Sequence, residues 1–115
     1  MSEPTALPTD PQSDVDAQTA FALLTAGLVD VVDVREPYEW ASGHIEGATL
    51  MPLGDLDPDR VAARRPVVAV CRSGNRSGVA ARLLRAAGGR AHNMAGGMIA
   101  WERVGLPQVP GDETR

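Results

Sequence analysis

The sequence predicts an α/β domain in which a mostly parallel central sheet is covered by helices on both faces. Short β-branched segments alternate with segments of helical periodicity, which is the pattern of parallel strands joined by crossover helices. Hydrophobic residues make up 43% of the chain and charged residues 23%, values typical of globular proteins. The 115 residues correspond to one domain, which we place at 13–109, between a flexible tail at 1–12 and a C-terminal tail at 110–115.

The first third of the chain predicts a helix followed by a buried strand. Three prolines among small polar residues disfavour regular structure in the N-terminal tail. Asp16 is a typical N-cap, apolar residues recur behind it at helical spacing, and Gly27 is a typical helix stop. The β-branched run at 28–34 then predicts a strand that ends at an Arg-Glu-Pro loop.

The middle of the chain predicts two further strands. Residues 38–41 fit one helical turn, and residues 48–52 fit a short strand. Residues 55–65 are polar and contain a proline, which indicates a short helix or a loop. The apolar run at 66–70 predicts the central strand of the sheet.

The last third predicts a helix, a strand and a second helix. Apolar positions at helical spacing indicate a helix over 77–87 that two glycines close. Residues 90–94 fit a strand, and residues 98–104 fit a last helix after Ala-Gly-Gly.

Charge and hydropathy argue against two classes of partner. The longest apolar run, at 67–71, is far shorter than the roughly 20 residues that span a bilayer. No secretory signal pattern opens the chain, so we expect a cytoplasmic protein without a membrane segment. Residues 60–103 hold nine arginines and one acid, but these arginines are spread over predicted helix, loop and strand, and aromatics are scarce. We therefore expect no nucleic-acid partner, and we expect a monomer.

The single cysteine is the strongest chemical signal. One thiol cannot form an internal disulfide, a CxxC pair or a cysteine-based zinc site, so Cys71 is either an inert core residue or acts alone. It begins the segment Cys-Arg-Ser-Gly-Asn-Arg-Ser at 71–77, between the most apolar strand and a helix, where open α/β sheets place ligand sites. Gly74 allows backbone N–H groups to converge on an anion. Helix-terminal amides together with Arg72 and Arg76 are expected to lower the pKa of the thiol.

Four motifs in this order make the sequence closely resemble the rhodanese family, specifically its single-domain sulfurtransferases. They are Asp-Val-Arg-Glu-Pro-Tyr-Glu-Trp at 33–40, Gly-His-Ile-Glu-Gly-Ala at 43–48, the loop at 71–76, and Gly-Gly-Met-Ile-Ala-Trp at 96–101. The resemblance covers almost the whole chain. It implies the rhodanese-like three-layer fold.

The resemblance also implies a chemistry. The Cys71 thiolate would attack a small anionic donor such as thiosulfate, sulfite would leave, and a persulfide on Cys71 would pass its sulfur to cyanide or a thiol. A sulfur-relay protein is a further candidate partner, and neither a metal nor an organic cofactor is expected. The residues expected to bind substrate are Arg72, Ser73, Gly74, Asn75, Arg76 and Arg35. Asp33 and Ser77 are expected to support the site structurally, and a surface ion pair of Arg35 with a glutamate is the alternative role for that residue.

Three alternatives remain open from the sequence. Cysteine-dependent phosphatases resemble this loop, and a phosphatase or arsenate reductase would need an arginine six positions after the cysteine, where this chain has Ser77. A persulfide carrier fed by a partner protein would use the same loop. A binding module without catalysis is disfavoured by the retention of Cys71 with two loop arginines. His44 and His92 are expected to have structural roles.

Overall fold

The computed structural model describes residues 6–61 and 65–111 and has the predicted α/β architecture. In chain order the elements are α1 (Ala17–Thr25), β1 (Asp30–Asp33), α2 (Pro37–Ser42), β2 (Thr49–Leu50), two single-turn 3₁₀ helices (Leu53–Asp55 and Pro58–Arg60), β3 (Val67–Val70), α3 (Asn75–Ala86), β4 (Ala91–Asn93) and α4 (Gly97–Arg103). Within the described residues the sheet has four strands in the order β2-β1-β3-β4, and every pair is parallel.

The sheet has an apolar core on each face, so the expected three layers are present. On one face, β1 and β3 contribute Val31, Val68 and Val70, which pack with α1 and α4. On the other face, β1 and β3 contribute Val32, Val67 and Ala69, which pack with α3. Alternate side chains of a strand point to opposite faces, and this alternation explains the division.

Strand β3 occupies the interior of the sheet and determines where the cysteine lies. Its residues are all buried, as predicted for the central strand. Cys71 follows β3 directly and belongs to the same core as Val67 and Ala69, on the face covered by α3. The period of two along the strand therefore directs the sulfur toward the beginning of α3.

Most predicted elements are present, with shorter strands and one shifted helix. Asp16 caps α1 by accepting a hydrogen bond from the Thr19 N–H at 2.7 Å. The strands are shorter than their apolar runs because they end where ladder pairing ends. Helix α3 begins at Asn75 rather than at residue 77, because Gly74 adopts a left-handed conformation (φ 102°) that turns the chain into the helix at once.

The segment predicted at 55–65 contains the second 3₁₀ helix and irregular backbone, and its residues 62–64 lie outside the described part of the chain. Residues 1–5 and 112–115 of the two predicted tails also lie outside it. Leu7 in the N-terminal tail packs against the core shared by α1 and α4. None of the helices in the described ranges has the length and apolarity needed to cross a membrane.

Candidate active site

The sulfur of Cys71 lies inside a turn formed by the loop that joins β3 to α3. The Gly74 N–H donates a hydrogen bond to Cys71 Sγ at 3.0 Å. The Ser77 hydroxyl, in the first turn of α3, lies 3.2 Å from the same sulfur. Cys71 is only 1% exposed. The arrangement is that of an anion cradle, in which backbone N–H groups at the beginning of a helix point at one acceptor.

Helix α4 holds the loop in this orientation. The Met98 N–H donates to the Cys71 carbonyl at 2.8 Å, and the Ile99 N–H donates to the Arg72 carbonyl at 3.0 Å. The bond to the Arg72 carbonyl holds the peptide group that carries the Ser73 N–H, which is one of the N–H groups bonded to the sulfur. Gly97 makes the approach possible, since a Cβ at this position would overlap the Cys71 carbonyl oxygen and the Arg72 carbonyl group.

The pKa of the Cys71 thiol is lowered from its usual value. Burial raises this pKa, but hydrogen bonds from the Ser77 hydroxyl and from the N–H groups of Ser77, Gly74 and Ser73 outweigh the burial. The direction agrees with the sequence prediction, which named the helix-terminal amides together with Arg72 and Arg76, and the hydrogen bonds rather than the arginines cause the lowering. A lowered pKa increases the thiolate fraction at neutral pH, and the thiolate is the nucleophilic form.

The side chain of Arg76 is bonded to α2. Its two terminal nitrogens donate to the two carboxylate oxygens of Glu39 at 2.8 and 2.9 Å. The pair raises the pKa of Arg76, mainly through these hydrogen bonds, and it lowers the pKa of Glu39 to about 2. Arg76 has a smaller electrostatic interaction with Cys71. Most of its charge is therefore compensated by Glu39 before any donor binds.

Arg35, which the sequence predicted to bind substrate, is buried in an ion pair with Asp33 and does not form the surface pair with a glutamate that was its alternative role. Its Nη2 lies 2.8 Å from Asp33 Oδ2 and 2.9 Å from the Gly43 carbonyl oxygen, and its Nε contacts both oxygens of the same carboxylate. Asp33 also accepts the Arg35 backbone N–H at 3.0 Å. The pair ties the end of β1 to Gly43, the residue that follows α2.

Arg72 is the loop arginine whose charge remains available. Its side chain is exposed and, within residues 6–61 and 65–111, makes no ion pair or hydrogen bond. It lines a cleft of about 500 Å³ together with Tyr38, Arg35, Met98 and Ile99. Cys71 itself does not line this cleft, but Arg72, the next residue along the chain, does.

The remaining predicted site residues lie on the rim of the loop, and the two histidines lie in the core. Ser73 and Asn75 have exposed side chains on the rim of the loop, and the Ser73 backbone N–H takes part in the cradle. His44 is stacked on Trp40 with ring centroids 3.6 Å apart, and His92 lies 2.6 Å from the Ser13 carbonyl oxygen. Both histidines are buried and hydrogen-bonded to backbone, as expected for structural roles. Among the described residues, no group of three or more His, Cys, Asp and Glu side chains is placed to hold a metal ion.

Three residues of the site were not singled out from the sequence. Glu39 pairs with Arg76, Gly97 supports the loop, and Asn93 contacts Ser77. Asn93 could have been found, because it is a polar residue at the carboxyl end of a predicted strand next to the one that ends at Cys71. Glu39 could not have been found in this way, because it lies 37 residues before its partner Arg76.

Comparison with known proteins agrees with the fold. A family model described as the rhodanese-like domain matches residues 16–104. A sulfurtransferase from Allochromatium vinosum is 46% identical over 103 residues, which cover 84% of this chain and 94% of that protein. The thiosulfate sulfurtransferase GlpE from Stutzerimonas stutzeri is 31% identical over 103 residues, which cover 86% of this chain and 93% of that protein.

A solved structure of a rhodanese-related protein has the same fold. The crystal structure of a rhodanese-related protein from Thermoplasma volcanium superposes with a TM-score of 0.81 at 26% identity and covers 86% of this chain and 99% of that chain. The chain spans a smaller part of other relatives. It covers 53% of an uncharacterized protein from Synechocystis, to which it is 42% identical over 96 residues.

Proposed function

Because the chain belongs to the rhodanese-like domain family, whose relatives include sulfurtransferases, we propose that it transfers sulfane sulfur from thiosulfate through a persulfide on Cys71. The observation that carries the proposal is the cradle, in which the Gly74 N–H and the Ser77 hydroxyl surround the sulfur. Such donors stabilise a negative charge on sulfur without a dedicated base.

The first half-reaction loads the cysteine. The Cys71 thiolate attacks the outer sulfur of thiosulfate and forms a new S–S bond. The bond between the two sulfur atoms of thiosulfate breaks, and its electron pair leaves with sulfite. The charge of the terminal sulfur of the persulfide then replaces that of the thiolate, so the loop N–H groups can stabilise the product as they stabilise the reactant.

Arg72 is the residue that we assign to donor binding. It is exposed on the cleft beside the cradle, and its guanidinium is the right partner for a sulfonate-like anion. Arg76 and Arg35 are assigned to holding α2, β1 and the loop together, because their charges are already paired. Ser73, Gly74 and Asn75 act through the shape and backbone of the loop.

The second half-reaction unloads the cysteine. Cyanide or a thiolate attacks the outer sulfur of the persulfide, and the bond to Cys71 Sγ breaks. The electron pair returns to Cys71, which again becomes a thiolate held by the cradle. Because the two half-reactions are separate, the loaded protein can be isolated between them.

The experiment is intact mass spectrometry of the protein after incubation with excess thiosulfate, before and after addition of cyanide. We expect a gain of about 32 Da, one sulfur atom, that cyanide removes and that Cys71→Ser prevents, because only the thiolate at this position is a strong nucleophile. Formation of thiocyanate in step with the loss of mass would account for the transferred atom. A wild-type mass that thiosulfate does not change would overturn the thiosulfate step.

A persulfide carrier that receives its sulfur from a protein is the second candidate. Tyr38 is 71% exposed and Ile99 is 37% exposed, and both line the cleft beside Arg72. Exposed apolar side chains at the edge of a reactive site favour contact with another protein surface. Loading by a cysteine desulfurase with free cysteine, at a rate much higher than loading by thiosulfate, is the result that this candidate requires.

A further inference from the structure

Asn93 lies beside the cradle at the end of β4 and contacts the residue that contacts the sulfur. The register of the sheet pairs Asn93 with Ala69, two residues before Cys71 on the neighbouring strand. Asn93 Oδ1 lies 2.5 Å from Ser77 Oγ, and the same oxygen of Ser77 lies 3.2 Å from Cys71 Sγ. Ser77 is completely buried, so its hydroxyl is not exposed to bulk water.

The orientation of the Asn93 amide follows from its second neighbour. Asn93 Nδ2 lies 3.4 Å from Asp14 Oδ2, a long contact to an exposed carboxylate. The reverse orientation would place Oδ1 against the carboxylate oxygen. Asp14 therefore favours the orientation in which Asn93 presents a hydrogen-bond acceptor, not a donor, to Ser77.

A serine hydroxyl has one proton and can donate it to one acceptor at a time. Cys71 Sγ and Asn93 Oδ1 are both acceptors, and the shorter distance is the one to Asn93. The two bonds therefore exclude each other. Ser77 can donate to a thiolate on Cys71 only when its proton turns away from Asn93.

We propose that Asn93 is a positioning residue that competes with the Cys71 sulfur for the single proton of Ser77. The functional part of the inference rests on the sulfur transfer proposed above. When Cys71 is a free thiolate, donation from Ser77 to the sulfur costs the bond to Asn93. When Sγ is bonded to a second sulfur and carries no charge, Ser77 keeps its bond to Asn93. Asn93 thus favours the persulfide over the free thiolate.

The surrounding charges do not replace this effect. Arg76 on α3 is paired with Glu39 on α2, Arg72 is exposed on the loop, and Asp14 faces Asn93. Removing the acceptor at position 93 leaves these groups in place and frees the Ser77 proton for the thiolate. The pKa of Cys71 should then fall, and the thiolate, being better stabilised, should react more slowly once it is fully ionised.

The test is the rate of alkylation by iodoacetamide as a function of pH, followed by intact mass. Cys71 is the only cysteine of the chain, so the reaction reports one site. For Asn93→Leu we expect the midpoint of the profile to fall by about half to one pKa unit, the range of one hydrogen bond. We expect the plateau rate at high pH to fall about two- to threefold.

The double variant with Ser77→Ala separates competition from a structural effect. In the Ser77→Ala background, Asn93→Leu should shift neither the midpoint nor the plateau, because the shared proton is gone. An unchanged or raised midpoint in Asn93→Leu, or an equal shift in both backgrounds, overturns the proposal. If the leucine variant does not fold, judged by thermal unfolding, Asn93→Ala replaces it with the same expected directions.

The preference for the persulfide over the free thiolate is tested by measuring how much of the protein carries the extra sulfur atom. At a fixed ratio of thiosulfate to sulfite, and at a pH above the alkylation midpoints of both proteins, the ratio of persulfide to free thiolate should be about three- to tenfold lower in Asn93→Leu than in the wild type, as a shift of half to one pKa unit implies. An unchanged ratio, together with the expected alkylation profile, overturns this preference. If the wild type takes up no sulfur at all, the proposed function fails, while the alkylation profiles still decide the competition for the proton.

Discussion

Arg76 and Glu39 form a bidentate ion pair that joins the first turn of α3 to α2. Both terminal nitrogens of the guanidinium donate to the carboxylate, at 2.8 and 2.9 Å, across 37 positions of sequence. The pair holds the beginning of α3 against α2. The backbone hydrogen bonds from α4 hold the preceding loop at the carbonyl groups of Cys71 and Arg72. Arg76, in the first turn of α3, therefore serves the architecture of the site, and Arg72 in the loop supplies the free charge.

The ion pair predicts a pH dependence of stability. The pKa of Glu39 is lowered to about 2 in the folded protein, from about 4.5 in an unfolded chain. A lowered carboxyl pKa stabilises the fold above the unfolded-state value, and this contribution is lost as the pH falls from about 4.5 toward 2. Glu39→Gln should remove about 1–2 kcal/mol from the free energy of unfolding at pH 7, because Arg76 is one-third exposed and solvent weakens the pair.

Urea unfolding of the wild type and of Glu39→Gln between pH 2 and 7 measures this effect. The difference between the two proteins should shrink as the pH falls. A difference that is the same at pH 2.5 and at pH 7 would show that the ionised pair is not its source.

The cradle predicts the ionisation of the cysteine. Ser77→Ala removes the side-chain donor that contributes most to lowering the pKa of Cys71. We expect the midpoint of the alkylation profile to rise by up to about one pKa unit, the value of one hydrogen bond to a charged acceptor. Ser42→Ala is a matched control, because its hydroxyl bonds the Glu39 carbonyl at the end of α2 and not the sulfur. Equal midpoints for Ser77→Ala and the wild type would contradict the role of this hydroxyl.

The free charge on the cleft predicts which arginine binds the donor. Arg72→Gln should raise the thiosulfate concentration needed for half-maximal loading about tenfold or more, because it removes a charge-assisted contact to the anion. Arg90→Gln removes the same charge at the amino end of β4, whereas Cys71 lies at the carboxyl end of β3. This control variant should leave loading unchanged. Loading curves from intact mass at increasing thiosulfate compare the two. Similar losses in both variants would indicate a general effect of net charge.

The contact between α4 and the loop predicts the effect of one methyl group. Gly97 and Gly105 both have positive φ, 57° and 75°, but only Gly97 faces the loop, whereas no atom lies within 4 Å of a Cβ at Gly105. Gly105→Ala should cost about 1 kcal/mol from backbone conformation alone. Gly97→Ala should cost about 3 kcal/mol or more, because it adds an overlap with the Cys71 carbonyl.

Urea unfolding gives the two free energies, and sulfur loading shows the consequence for the site. Gly97→Ala should load poorly even where it is folded, since the loop must shift to admit the methyl group. Equal costs for the two alanines, with normal loading, would show that the loop does not depend on the close approach of α4.

The sequence by itself determined the parts of this protein that depend on short-range patterns. The uninterrupted apolar run at 66–70 and the helical spacing after Asp16 and over 77–87 are local signals, and they predicted the sheet, the helices and the position of Cys71 at the end of the central strand. The beginning of α3 was misplaced by two residues, because a left-handed glycine can end a loop earlier than the apolar pattern indicates.

Only the tertiary structure decided how the charges and hydrogen bonds of the site are distributed. Arg35 and Arg76 look as available as Arg72 in the sequence, and folding pairs them with Asp33 and Glu39. Asn93 reaches Ser77, and Gly97 reaches the loop, because parallel strands and their following turns meet at one edge of the sheet. Such contacts join residues far apart in the chain, so their partners are set by the packing of whole elements and not by any local pattern.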